Sequence, residues 1–332
     1  MSAGVPPTLV VRAPNWLGDT VMAQPALARL REAMPEATIT VIGRWASLLR
    51  GQGIADALLA YPASPARRRF ARALADARPD LALVLPNSFE AARAARQWGA
   101  RRRVGFDTDA RGLYLTDRVP LPEPRRHQVD EYRLLVEALG ITTSAREPRL
   151  RVPDDAAAEA EVDALLDGVR SGDRPIGLHL GAAAGPAKRW MSAGWAALAD
   201  RLQALDLPVM LLGGRDDAAA AEAVLGLAAT SPRSLVGRDR PALLPHLLPR
   251  LRGLVSADTG VAHLAAALGV VTVTLFGPTD PRLTAPRSGR ARVVAPGAPC
   301  APCFLDVCPI DHVCMRAIEA EAVARVVREA VA

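Results

Sequence analysis

Seven short apolar runs constrain the fold of this chain more than any other feature. They are TLVVR at 8–12, TITVIG at 38–43, LALVLP at 81–86, IGLHLG at 176–181, PVMLLGG at 208–214, GLVSAD at 253–258 and VVTVTLFG at 270–277. Each is apolar on both faces, partly β-branched, and followed by an Ala/Leu/Arg-rich stretch of helical length. A strand that is apolar on both faces must be covered on both, which is the pattern of buried parallel strands joined by crossover helices. The pattern occurs twice. Between its halves, SAREPRLRVPDDAAAEAEVDALLDGVR interrupts it with prolines and charges before a helix that Asp154 or Asp155 can cap. The boundary is therefore expected near 148–153. The expected fold is α/β, with two Rossmann-like doubly wound parallel-sheet domains, residues 1–152 and 153–332, facing each other across a cleft. Ligands of such sheets bind at the carboxyl ends of the strands, so the loops that follow the runs should carry the chemistry.

The chain has 332 residues, 50% of them hydrophobic, enough for two cores. No segment approaches the roughly 18 consecutive apolar residues of a membrane-spanning helix, and MSAGVPPTLVV lacks the charged start and apolar stretch of a signal peptide. A cytoplasmic protein is expected. The formal net charge of +6 biases the surface towards anionic partners: nucleic acid, anionic lipid or a phosphorylated small molecule. Aromatic interleaving and a concentrated basic arm are missing, so nucleic acid is not expected to be the partner. The first strand is not followed by G-x-G-x-x-G, which argues against a nicotinamide-dependent oxidoreductase.

Four loops hold chemistry-bearing residues. In RAPNWLGDTVMAQPAL, Asp19 sits at the strand-to-helix junction, either as a helix N-cap or as a group facing the ligand, and Pro25 restricts where the helix runs unbroken. HLGAAAGPAKRW at 179–190 offers small residues, a glycine, Lys188 and Arg189; it is either a solvated basic turn or a diphosphate cradle, and it is not a Walker loop. LLGGRDDAAAAEAVL opens a helix with Asp216 and Asp217, which suit helix capping and ribose binding equally. In VSADTGVAHLAAALGVVTVTLFGPTDP, Asp258, Thr259 and Gly260 end a strand and open a helix carrying His263 on its first turn. Gly277, Pro278 and Thr279 should lie beside that helix start.

NWLGD, VLPNSFEAA at 84–92, GPAKRW at 185–190, SADTGVAHLAAALG and FGPTDP appear in an order that resembles the bacterial lipopolysaccharide heptosyltransferases, glycosyltransferase family 9, and within them the second-heptose enzymes. The resemblance spans almost the whole chain. It implies a GT-B fold, an ADP-heptose donor bound in the C-terminal half, a lipid A-core oligosaccharide acceptor, and inversion at the sugar without a metal. It places the catalytic base on Asp19 and a diphosphate-contacting, catalytic lysine on Lys188. It places donor binding on Gly18, Lys188, Arg189, Asp216, Asp258, Thr259, Gly260 and His263. It suggests acceptor binding by Asn15, Trp16, Asn87, Ser88, Arg101, Arg102 and Arg103, the arginines towards phosphate; those arginines can equally form a solvated face. It also implies contact with an anionic membrane surface at the cytoplasmic face. A related member with another acceptor or nucleotide-sugar is the alternative. The acids of DTD at 107–109 read as a loop.

The four cysteines, Cys300, Cys303, Cys308 and Cys314, all fall in CAPCFLDVCPIDHVCM. Such density suggests a shared purpose: structural zinc, with His312 as a further ligand, or reduced thiols, or disulfides.

Overall fold

The computed structural model describes residues 6–169, 173–183 and 185–332. The chain divides into two compact units, 1–150 and 151–332.

Unit 1 is built from β1 (Thr8–Arg12), α1 (Leu17–Ala33), β2 (Thr38–Ile42), β3 (Ala57–Leu59), α2 (Arg67–Asp76), β4 (Leu81–Val84), α3 (Phe89–Gln97), β5 (Arg102–Phe106), β6 (Asp117–Val119) and α4 (Gln128–Glu137). The strands form one parallel sheet in the order β3-β2-β1-β4-β5-β6. Right-handed crossovers that leave β1 in opposite directions place their helices on opposite faces. Accordingly α1 packs with α4 on one face and α2 with α3 on the other. The alternation along β1 serves both layers: Leu9 and Val11 join the core under α1 and α4, and Val10 joins the core under α3 with Trp98. Helix α3 meets the sheet through Ala91, Ala92, Ala94 and Ala95, small side chains that let a helix approach closely.

Unit 2 contains α5 (Ala156–Leu165), β7 (Ile176–His179), α6 (Ser192–Gln203), β8 (Val209–Leu212), α7 (Ala218–Leu227), β9 (Arg233–Ser234), the single turn α8 (Leu244–Leu247), β10 (Gly253–Ala257), α9 (Gly260–Ala267) and β11 (Val271–Leu275). It closes with α10 (Pro281–Thr284), β12 (Ala291–Val294), α11 (Val313–Arg316) and α12 (Ala320–Val331). Its parallel sheet runs β12-β11-β10-β7-β8-β9. Asp155 caps α5, its carboxylate accepting from Ala158 N at 3.0 Å.

All seven apolar runs are strands: β1, β2, β4, β7, β8, β10 and β11. The strands that hydropathy did not announce are β3, β5, β6, β9 and β12. Four of these are sheet edges or pair only with an edge, where burial is lower. Among the described residues, no helix is long and apolar enough to cross a membrane.

Candidate active site

In unit 1 the loop after β1 carries Asn15 and Trp16, both exposed, then Gly18 and Asp19 in the first turn of α1. Asp19 is not the N-cap, as one of its sequence readings had it. The helix begins two residues earlier, Trp16 holds the cap position without a side-chain bond, and Asp19 stands half-buried on the first turn. Its charge helps to raise the phenol of Tyr132 in α4, which burial already pushes well above its ordinary value. The helix also continues through Pro25 to Ala33, forgoing the bond that a proline cannot donate.

Arg12, the last residue of β1, fixes this loop. It is 1% exposed and donates to the Ala13 carbonyl and, at 2.7 Å, to Asn15 Oδ1. Its guanidinium lies 4.1 Å from the centre of the Tyr61 ring, and burial lowers its pKa. Trp45 Nε1 donates to the Asn15 carbonyl at 3.1 Å, so Asn15 is held from both ends.

On the same carboxyl edge, Ser88 caps α3 by accepting from Ala91 N at 3.3 Å. The Asn87 carbonyl accepts from Thr108 Oγ1 at 3.1 Å, and Asn87 Oδ1 is buried with no hydrogen-bond partner among the described residues. Arg111, fully buried, donates to the carbonyls of Phe106, Pro86 and Ser88. Arg101, Arg102 and Arg103 are not brought to this edge. They precede or open β5, in register with the start of β4, which is the opposite end of the sheet. There Arg101 pairs with Asp80 and Arg102 with Asp117, and Arg103 donates to the Tyr114 and Ala100 carbonyls. A triplet of arginines reads as a phosphate clamp in sequence, but here Arg101 and Arg102 are exposed, Arg103 is half-buried, and all three sit at the end of the sheet away from Asn87 and Ser88.

In unit 2 the loops after β7, β10 and β11, three adjacent strands, converge. Lys188 Nζ lies 2.8 Å from Asp258 Oδ2, and Thr279 Oγ1 donates to the same oxygen at 2.8 Å. Asp258 is 7% exposed, so the pair is largely withdrawn from water. Lys188 is the sole lysine in the chain. Thr259 is the N-cap residue of α9 but makes no side-chain cap; its hydroxyl lies 2.8 Å from Ser256 Oγ instead. The Thr259 side chain thus leaves the first amides of α9 uncapped, at a helix end whose dipole favours an anion. His263 is buried within α9. Behind Ser256 lies His179, whose pKa burial drives down to about 4, keeping the ring neutral.

The cysteine-rich segment braces these loops. Ala187 N donates to the Asp306 carbonyl at 3.0 Å, and the amides of Cys303 and Phe304 donate to the Pro278 carbonyl at 3.0 and 2.8 Å. Gly185 has φ +145°, and a Cβ there would fall 2.5 Å from the Asp306 oxygen, so only glycine fits under the brace. All four cysteines are free, and among the described residues no three metal-ligating side chains are grouped to hold an ion; burial, helped by the neighbouring Cys300 and Cys303, pushes the Cys314 thiol up. Cys308 Sγ donates to the Ile310 carbonyl at 2.8 Å, and Cys314 is buried against Met315 and Gly277.

Further along the same edge, a cavity of about 610 Å³ lies between the loops after β8 and β9 and helix α5, lined by Gly214, Arg215, Arg238, Asp239 and Glu161 among others. Asp216, the sequence candidate for ribose, is exposed, whereas Asp217 is buried, accepts from Gly214 N at 2.9 Å and pairs with Arg189 at 3.2 Å. Asp239 escaped the sequence reading because β9 has only two residues; the acid following Gly237 was the signal. Asp239 Oδ2 accepts from Gly213 N at 2.8 Å, and Oδ1 is buried with no hydrogen-bond partner among the described residues.

Burial pushes Asp239 up to about 7. The folded state therefore retains a proton that the unfolded chain gives up, and stability falls as pH rises from the unfolded value near 4 through about 7. His179 acts in the opposite sense, because the folded state refuses a proton that the unfolded chain accepts, and stability falls as pH drops from about 6.5 towards 4. Asp239→Asn, a mimic of the neutral acid, removes the first slope. Urea unfolding across pH should find the variant more stable than the parent by on the order of 3 kcal/mol near pH 8, and little different near pH 4.

Two Rossmann-like units, each a six-stranded parallel sheet, are the architecture of the GT-B glycosyltransferases. The model of glycosyltransferase family 9 (heptosyltransferase) matches residues 67–314, and the chain belongs to this family. Lipopolysaccharide heptosyltransferase 2 of Escherichia coli (strain K12) is 32% identical over 307 residues, covering 86% of this chain and 87% of the relative. The solved structure of E. coli ADP-heptose LPS heptosyltransferase II superposes with a TM-score of 0.80 at 27% identity, covering 98% of both chains. A family 9 glycosyltransferase from Veillonella parvula, at 21% identity, shares the fold with a TM-score of 0.83 over 98% and 97% of the two chains.

Proposed function

We propose that this glycosyltransferase moves L-glycero-D-manno-heptose from ADP-heptose to the heptosyl-Kdo2-lipid A inner core of lipopolysaccharide, with inversion. The observation that carries the reading is the Lys188–Asp258–Thr279 cluster at the open N-terminus of α9. In unit 2 the donor diphosphate takes the α9 amides and Lys188, and the adenosine half takes the cavity that holds Asp239. Developing negative charge on the departing ADP is met by a preorganised cation and helix dipole. In unit 1, the acceptor-binding unit, Asp19 is the general base: it takes the proton of the acceptor hydroxyl as that oxygen attacks the anomeric carbon and the bond to the diphosphate breaks. Asn15, Trp16, Asn87 and Ser88 border the acceptor. Because the acceptor is lipid-anchored, the enzyme works as a peripheral protein at the cytoplasmic face of the membrane.

Calorimetric titration tests the donor assignment. ADP-heptose should bind in EDTA-containing buffer, and Lys188→Gln should weaken it at least tenfold by removing a charged hydrogen-bond donor to phosphate. Preference for a different nucleotide-sugar would favour a family member with another donor.

A further inference from the structure

The positive charge of this chain is segregated. Unit 1 carries 22 arginines against 15 acids, a net +7, whereas unit 2 carries 19 basic residues against 20 acids, a net −1. Within unit 1 the whole excess lies in residues 67–103, where ten arginines face Asp76, Asp80 and Glu90; the remainder is balanced at 12 and 12. The anionic donor does not account for it, because the donor groups lie in the unit whose net charge is negative.

Helices α2 and α3, packed together on one face of the sheet, carry six of these ten arginines against Asp76 and Glu90, a net +4 of the +7; Arg78, Arg101, Arg102 and Arg103 against Asp80 supply the rest. Arg67 pairs with Glu90 at 3.4 Å. Arg68, Arg69 and Arg72 on α2 and Arg93 and Arg96 on α3 are exposed and form no ion pair among the described residues. Arg68 and Arg72 are one helical turn apart, as are Arg93 and Arg96, so each pair shares a face. No residue of α2 is fully buried; the helix rests on half-buried Phe70 and Leu74 and gives its outer side to arginine. Beside these cations stand Phe89, 45% exposed, and Leu113, 74% exposed. The Phe89 ring packs edge-on against Tyr114, over which Arg96 also lies.

Cations spread over two helices, with an aliphatic and an aromatic side chain projecting among them, fit a flat anionic surface with an apolar interior. A single-stranded nucleic acid would stack successive bases on several aromatic platforms, whereas Phe89 is the one large exposed aromatic ring beside these arginines among the described residues. We propose that the α2–α3 face docks unit 1 onto an anionic phospholipid bilayer, the five arginines meeting headgroup phosphates while Phe89 and Leu113 enter the interface. This deepens the reading of a lipid-anchored acceptor and rests on it for its purpose.

The test is flotation of the full chain with phosphatidylcholine vesicles, with and without phosphatidylglycerol. The native protein should float only with phosphatidylglycerol, and less as salt rises. R68E/R69E/R72E should lose at least about a hundredfold in vesicle affinity. R292E/R325E/R328E, the same charge change on exposed positions of unit 2, should leave binding unchanged, and F89S/L113S should weaken the binding that survives high salt. Transfer to a deacylated, soluble acceptor should be unaffected by R68E/R69E/R72E, while transfer to acceptor embedded in vesicles falls. Equal flotation of R68E/R69E/R72E and native protein would overturn the proposal, as would equal losses with the soluble and embedded acceptors, which would make the patch a saccharide-phosphate site. Native protein that floats as expected but transfers no heptose would contradict the functional reading alone.

Discussion

Asp19→Asn is expected to lower kcat for heptose transfer by about 10²–10⁴-fold, the usual contribution of a positioned general base, with ADP-heptose affinity unchanged. The amide preserves the size of the side chain and its place on the first turn of α1, so the loop clamped by Arg12 and Trp45 through Asn15 keeps its shape. What is lost is the ability to accept a proton. Because Lys188 and the α9 amides, proposed to hold the donor diphosphate, belong to unit 2, titration of donor into the variant separates this loss from a binding defect. A variant that binds donor normally and still transfers at the parental rate would remove Asp19 from the chemistry.

The second large effect is expected at Lys188. Lys188→Met leaves the Asp258 carboxylate 7% exposed with a hydroxyl partner but no cation, and breaking a buried pair from one side costs about 3–5 kcal/mol. The variant should unfold at lower denaturant and bind ADP-heptose poorly. Adding Asp258→Asn removes the stranded charge, so the double variant should recover stability without recovering donor affinity. That split distinguishes a lysine that serves the donor from one that only neutralises Asp258. The composition points the same way. In a chain with forty arginines and one lysine, the lysine stands at the proposed diphosphate contact, where a compact, three-donor point charge differs from a planar guanidinium. Lys188→Arg is accordingly expected to keep the fold and lose most of the activity.

The architecture was legible because burial writes itself into hydropathy. Strands covered on both faces, such as β1 and β10, are continuous apolar runs, and their order and the interrupting charged segment near residue 150 are enough to place two doubly wound sheets. β5 was not legible for the converse reason: it opens with Arg102 and Arg103 at the solvent end of the sheet, and the same arginines looked like an acceptor clamp. Loop chemistry was partly readable. Lys188, Asp258 and Thr279, far apart in sequence, were each recognisable as residues after strands, but the shared oxygen that joins them is a property of strand order. Asp19 was misplaced by one reading as a cap, since nothing in NWLGD announces that the helix starts before the acid. Asp239 was missed because its strand is too short to leave a hydropathy signal. The basic face of α2 and α3 was missed because arginine is abundant throughout; only subtracting acids segment by segment separates it from the background.

The central claim is tested most directly by incubating the native protein with ADP-heptose and heptosyl-Kdo2-lipid A in EDTA-containing buffer and weighing the product by mass spectrometry. The expected product is heavier by one heptose residue, with ADP released in equal amount. Donor binding without that product would contradict the assigned acceptor, and absence of donor binding would contradict the account as a whole.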